Sequence, residues 1–169
     1  MKKLAKIFAV AMVCVLALTA LVACGPNTNY DKAKENLKKN KYTLTIATKE
    51  GDTGFAIAAA AAAPINGIKA EDIEAIISAS NSDGEHVYII WCKSSDAANT
   101  AYDKANEQKK ALKENLDKMK DQMKDLDDED KEFAQKQYDE MKQIYDNYVC
   151  GRSGKVVWSG TKEGIKATK

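Results

Sequence analysis

The sequence predicts an α+β domain, a four- to five-stranded, mostly antiparallel sheet from which a long helical hairpin projects. Three observations predict it. Runs rich in β-branched and aromatic residues recur at 42–48, 72–80 and 86–93, the composition of half-buried or central strands. Apolar residues then fall three and four apart through 95–148, the period of an amphipathic helix. Between the runs stand turn signals, above all Asp83-Gly84.

Each element follows in order. Residues 30–40 form a short helix with Tyr30, Ala33 and Leu37 on one face, ended by Asn40. In the strand 42–48, Tyr42, Leu44 and Ile46 point one way and Thr43 and Thr45 the other. The next helix is capped by Asp52 or Thr53, runs through Ala58 to Ala63, and stops at Pro64. Phe55, Ile57 and Ile65 are expected to anchor it, while the alanines let its backbone approach a sheet. Strands 72–80 and 86–93 make a hairpin on Asp83-Gly84, and apolar residues on both faces of 87–92 predict a strand covered on both sides.

In the hairpin 95–148 one arm is marked by Ala98, Ala101, Leu112, Leu116, Met119, Met123 and Leu126, the other by Ala134, Tyr138, Met141, Tyr145 and Tyr148. They meet at 126–130 with a narrow, coiled-coil-like seam. The arms are unequal, so the first third, about 96–108, is expected to lie across the sheet while the remainder projects and folds back. A closing hairpin with its turn at Gly151-Arg152-Ser153-Gly154 follows, then a short helix capped by Thr161. The middle of this order resembles the βαββαβ ferredoxin-like arrangement with one strand added. A plain antiparallel meander is the alternative.

Residues 1–23 read as an export signal, with Lys2, Lys3 and Lys6 before an uncharged stretch from Ile7 to Ala23. It ends in Leu21-Val22-Ala23-Cys24-Gly25, which resembles the lipobox of bacterial lipoproteins. That resemblance implies alkylation of the Cys24 thiol with a diacylglyceryl group, cleavage before Cys24 by signal peptidase II, and a domain held at the cell membrane, facing away from the cytoplasm. Two acyl chains anchor stably where one is marginal. The expected organisation is thus a removed signal (1–23), a lipidated tether (24–29) and one domain (30–169). The signal holds three of the 26 lysines and arginines and none of the 25 carboxylates, so the remaining chain carries a net charge of −2. That balance gives no reason to expect nucleic acid. Arg152 is the sole arginine, which argues against bidentate phosphate recognition.

Of four cysteines, Cys14 leaves with the signal and Cys24 takes lipid. Cys92 and Cys150 remain as a pair for a disulfide, open because one topology brings them together and the other holds them at opposite ends of the sheet. No catalytic constellation is legible. His86 is the only histidine and reads as a strand-end residue. The acidic run Asp125 to Asp130 lacks the glycine and glutamate of an EF-hand and reads as a solvated interhelical turn. Met119, Met123 and Met141 read as seam filler. The expectation is therefore a membrane-anchored, non-catalytic binding or scaffold module, without metal or cofactor, whose hairpin docks a partner protein. The alternative is a carrier for a small hydrophobic ligand or peptide, held between the sheet and the 58–63 helix.

Overall fold

The computed structural model describes residues 25–49 and 54–169; the signal segment and Cys24 lie outside the described residues. The elements are α1 (Tyr30–Lys39), β1 (Thr43–Thr48), α2 (Phe55–Asn66), a 3-10 turn (Ala70–Asp72), β2 (Ile73–Ser80), β3 (His86–Cys92), α3 (Ser95–Gln122), a second 3-10 turn (Met123–Asp125), α4 (Asp128–Asn147), β4 (Tyr148–Ser153), β5 (Val156–Thr161) and α5 (Lys162–Lys166). The five strands form one open sheet in the order β1-β2-β3-β5-β4, and every neighbouring pair is antiparallel.

This order is not the ferredoxin-like one. That arrangement needs a helix crossing over between parallel strands split by a third, whereas β1 and β2 are direct antiparallel neighbours with Thr48 opposite Ala75. The 49–72 connection therefore starts and finishes at one end of the sheet. Nor is the sheet a plain meander, because β5 inserts between β3 and β4. Both of those strands oppose β5, so β3 and β4 run in the same direction, and α3 with α4 carries the chain back between them.

Helices cover both sides. On the front face, Ala47, Ile76, Ile90, Cys92 and Val157 pack with Ala59, Ala62 and Ala63 of α2 and Ala97, Ala98 and Ala101 of α3. On the rear face, Ile77, Val87, Ile89, Val156 and Trp158 pack with Ala33 and Leu37 of α1 and Ile165 of α5. Strand β3 lies between the two layers, with Ile89 0% and Ile90 1% exposed, as its two-sided apolar pattern predicts. A register irregularity between Ile73 and Ala75 lets Ile73 join the front core, although Ile77 faces the rear; an extra residue in one strand has this effect.

Three local expectations change. Helix α2 is capped by Gly54 without a side-chain bond and runs through Pro64 to Asn66; the predicted caps Asp52 and Thr53 lie outside the described residues. Pro64 is tolerated because the amide it lacks would have bonded to Ala60, whose residue is exposed to water. The helix ends instead at Gly67, whose φ of +67 suits glycine, with Ile68 N–H bonding back to Ala63 O at 3.1 Å. Second, Ile57 is 76% and Ile65 56% exposed. The buried face is set by Ala59, Ala62 and Ala63; at about 100° per residue Ile57 lies at least about 120° around the helix from each of them, and Ile65 falls at the edge of that face, about 60° beyond Ala62. Third, the last hairpin turns at Gly154-Lys155 rather than at 151–154. Gly151 is a strand residue opposite Trp158, and glycine is needed there because a Cβ would lie 2.5 Å from the Trp158 ring.

Helix α3 has 28 residues and α4 has 20. Ser94 caps α3 by accepting from Ala97 N–H at 3.1 Å, and Asp127 caps α4 by accepting from Asp130 N–H at 3.1 Å. The two helices share a third cluster of Leu112, Leu116, Met119 and Met141, flanked by Leu126, Tyr138, Tyr145 and Tyr148.

Candidate functional site

The chain next to Cys24 is built into the rear layer. Gly25 lies against the buried indole of Trp158, so closely that a Cβ would stand 2.4 Å from the ring. Gly151 makes a matching approach, and two glycines thus bound the same ring. Pro26 is buried. Asn27 N–H donates to Thr168 Oγ1 at 3.2 Å, and that fully buried hydroxyl donates to Ile165 O at 2.7 Å. Trp91 Nε1–H donates to Thr28 O at 2.8 Å, and Tyr30 meets the Trp91 ring edge-on at 5.2 Å. Asn29 then caps α1 through Lys32 N–H at 3.0 Å. The C-terminal residues close the layer, with Asn36 Nδ2 donating to Thr168 O at 3.1 Å and Asn40 Nδ2 to Ala167 O at 3.1 Å. The described part of the stretch that reads as a short tether, residues 25–29, is held to the rear layer by these contacts. Its only signals in the sequence are small residues whose value depends on an indole more than a hundred positions away.

Cys92 and Cys150 are both buried and neither is in a disulfide. The register explains why: Cys150 is level with Ser159 and Tyr88, four residues from Cys92 along the sheet, with β5 between their strands. At about 3.3 Å per residue and 4.8 Å per strand, that separation is far beyond the reach of a disulfide. The parallel course of β3 and β4 is the topology that holds the pair apart. Burial, aided by the nearby charges of Asp72 and Glu74, pushes the Cys92 thiol up to about 11, which keeps it protonated and a poor nucleophile.

The front face divides into a covered half and an open one. Two polar rows run across the open half: Thr43, Ser80 and His86, then Thr45, Ser78, Tyr88 and Ser159. Thr43, Thr45, Ser78 and Ser80 are exposed and His86 is half-buried. His86 Nδ1 lies 3.3 Å from Gly84 O, and its ring is tilted against Tyr148 at a centroid distance of 5.2 Å. Burial drives Tyr88 up to about 12, against a hydrogen bond with Asn66, and burial also raises Tyr148. These phenols stay neutral, so the shelf is a hydrogen-bonding surface rather than a set of charged groups. A separate open depression of about 460 Å³ is bounded by Tyr30, Asp31, Thr48, Lys49 and Glu74.

Beside the shelf, α2 turns outward a face made of Ala56, Ile57, Ala60, Ala61, Pro64 and Ile65, all exposed. No charged residue occurs between Phe55 and Asn66. Gln108 of α3 ties this helix down, Nε2 donating to Ile65 O at 2.9 Å. Among the described residues no group of three or more His, Cys, Asp or Glu is placed to hold a metal. Met119, Met123 and Met141 are at most 9% exposed, with Met119 and Met141 in the shared cluster of α3 and α4. No helix among the described residues is long and apolar enough to cross a membrane. No family model matches the chain, and neither does any curated protein or solved structure.

Proposed function

We propose that this protein is a lipid-anchored, extracytoplasmic binding or scaffold module without catalytic activity. Cys24 carries the diacylglyceryl group and a partner protein docks on the front side. The observation that carries this reading is the exposed, uncharged face of α2. Apolar patches of this kind on a folded domain mark interaction sites. It lies on the opposite side of the sheet from Gly25, where the chain joins the anchor, so its occupant is a protein rather than the anchoring bilayer. The far parts of α3 and α4 extend this surface as a projecting helical hairpin. In support, their shared cluster is separate from both sheet cores, and only the first turns of α3 contribute to the front core.

The carrier reading has less behind it. Ala59, Ala62 and Ala63 are 2–5% exposed and packed on Ala47, Ile76 and Ala98, which fills the space a ligand would need. Photo-crosslinkers placed at Ile57, Ile65 and Lys118 of the anchored protein test the proposal. Capture of one shared protein at Ile57 and Ile65, reduced when residues 110–136 are deleted, supports it. Crosslinks to lipid alone at Ile57, or none, would sink it.

A further inference from the structure

We infer that the rear layer is a lipid-facing surface, seated on the headgroups of an anionic bilayer, so that the domain stands in one orientation rather than swinging on its anchor. This rests on the reading of Cys24 as the lipidated residue. The first support is the length of free chain, which is nil. Gly25 is held against Trp158, Asn27 is bonded to Thr168 and Thr28 to Trp91. Cys24 is therefore one Cα step, about 3.8 Å, from a point packed into the rear of the sheet.

The second support is the charge. Residues 30–41 and 162–169, which form the rear helices and their ends, hold eight lysines against Asp31, Glu35 and Glu163, a net +5. All other positions after Cys24 hold 15 basic and 22 acidic side chains, a net −7. Lys32, Lys38 and Lys41 around α1 and Lys162, Lys166 and Lys169 around α5 are exposed. The rear helices of a chain that is nearly neutral overall are thus basic, with Asp83 and Glu85 as further acidic groups whose charge reaches Tyr42 of the same layer. Each lysine at an anionic surface favours contact about fivefold, and acyl chains combined with a polybasic patch are the two-signal arrangement of stable peripheral anchoring. Residues 95–147, with 10 basic and 15 acidic side chains, would be repelled by the same surface. The α2 face and the helical pair would then point away from the bilayer, where a protein partner can reach them.

The test uses the full chain, processed in a bacterium, purified in detergent and returned to vesicles. A fluorophore on Lys38→Cys or Lys169→Cys is compared with one on Lys118→Cys, using lipids that carry a headgroup quencher. In phosphatidylcholine containing about one-third phosphatidylglycerol, the two rear labels should be quenched several-fold more than the label at position 118. The difference should vanish in about 0.5 M salt, where screening shortens to about 4 Å, and in a Lys32→Glu, Lys162→Glu, Lys166→Glu variant that stays anchored. Equal quenching at all three positions of the anchored protein overturns the orientation alone. A Cys24 without the diacylglyceryl mass overturns the anchoring reading and this inference with it.

Discussion

The two faces of the sheet are covered by different means. At the front, three alanines of α2 and three of α3 meet Ala47, Ile76 and Ile90. The side chains are small, the helices approach closely, and the surface left outside α2 is apolar. At the rear, Leu37, Ile165 and a buried indole fill the space under α1 and α5. There the outer surface is rich in lysine. One sheet thus carries a close-packed layer with an uncharged exterior and a bulky layer with a basic one, and the chain enters through the second.

The comparison can be broken in four places. The largest effect belongs to the rear: Trp158→Ala should cost about 3–5 kcal/mol in the urea unfolding of the processed chain, because the indole also seats Gly25 and Gly151. A loss below 1 kcal/mol would mean that the entering chain is not part of the core. At the front the sensitive change is the opposite one. Ala98 is fully buried, and Ala98→Leu should overpack the helix–sheet contact by about 1–3 kcal/mol; a neutral result would disprove close packing there.

The third concerns alkaline pH and two groups of the front face. Tyr88 is raised from 10.0 to about 12 and Cys92 from 9.0 to about 11, burial being the first cause of each. With folded values above unfolded ones, the contribution is complete below pH 9 and is lost as pH rises towards 12. The urea midpoint should hold from neutrality to about pH 9 and then fall, less steeply in Tyr88→Phe. A midpoint unchanged at pH 11 would show these groups to be better hydrated than their burial implies. The smallest effect is Ile57→Gln, expected within about 0.5 kcal/mol of the parent while weakening partner capture. A loss above 1 kcal/mol would reveal that the outer face of α2 is already covered within the protein.

Much of the secondary structure was legible because it is local. Thr161 caps the last helix, Gly84 turns the first hairpin with φ of +78, and the alternation of Tyr42, Leu44 and Ile46 sends all three to the rear core. Helix α2 lies with its alanines on the sheet and Phe55 against the same core, as the sequence predicts, but Ile57 and Ile65 face outward. Composition invited the isoleucines inward, whereas the buried residues of α2 in the cluster with Ala47 and Ile76 are Ala59, Ala62 and Ala63. The role of Gly151 was misassigned for a similar reason. A glycine flanking a turn and a glycine under an indole look alike until the strand register is known.

What the sequence determined by itself is what neighbours along the chain decide: helix periods, caps, the Asp83-Gly84 turn and a strand apolar on both sides. Only the tertiary structure decided that β5 enters between β3 and β4, that Cys92 and Cys150 are thereby kept apart, and that residues 25–29 are packed and hydrogen-bonded onto the rear layer. Strand order, helix phase against a sheet and the docking of a terminal segment depend on shape-matching between residues distant in sequence. Patterns within a window of a few turns do not encode it.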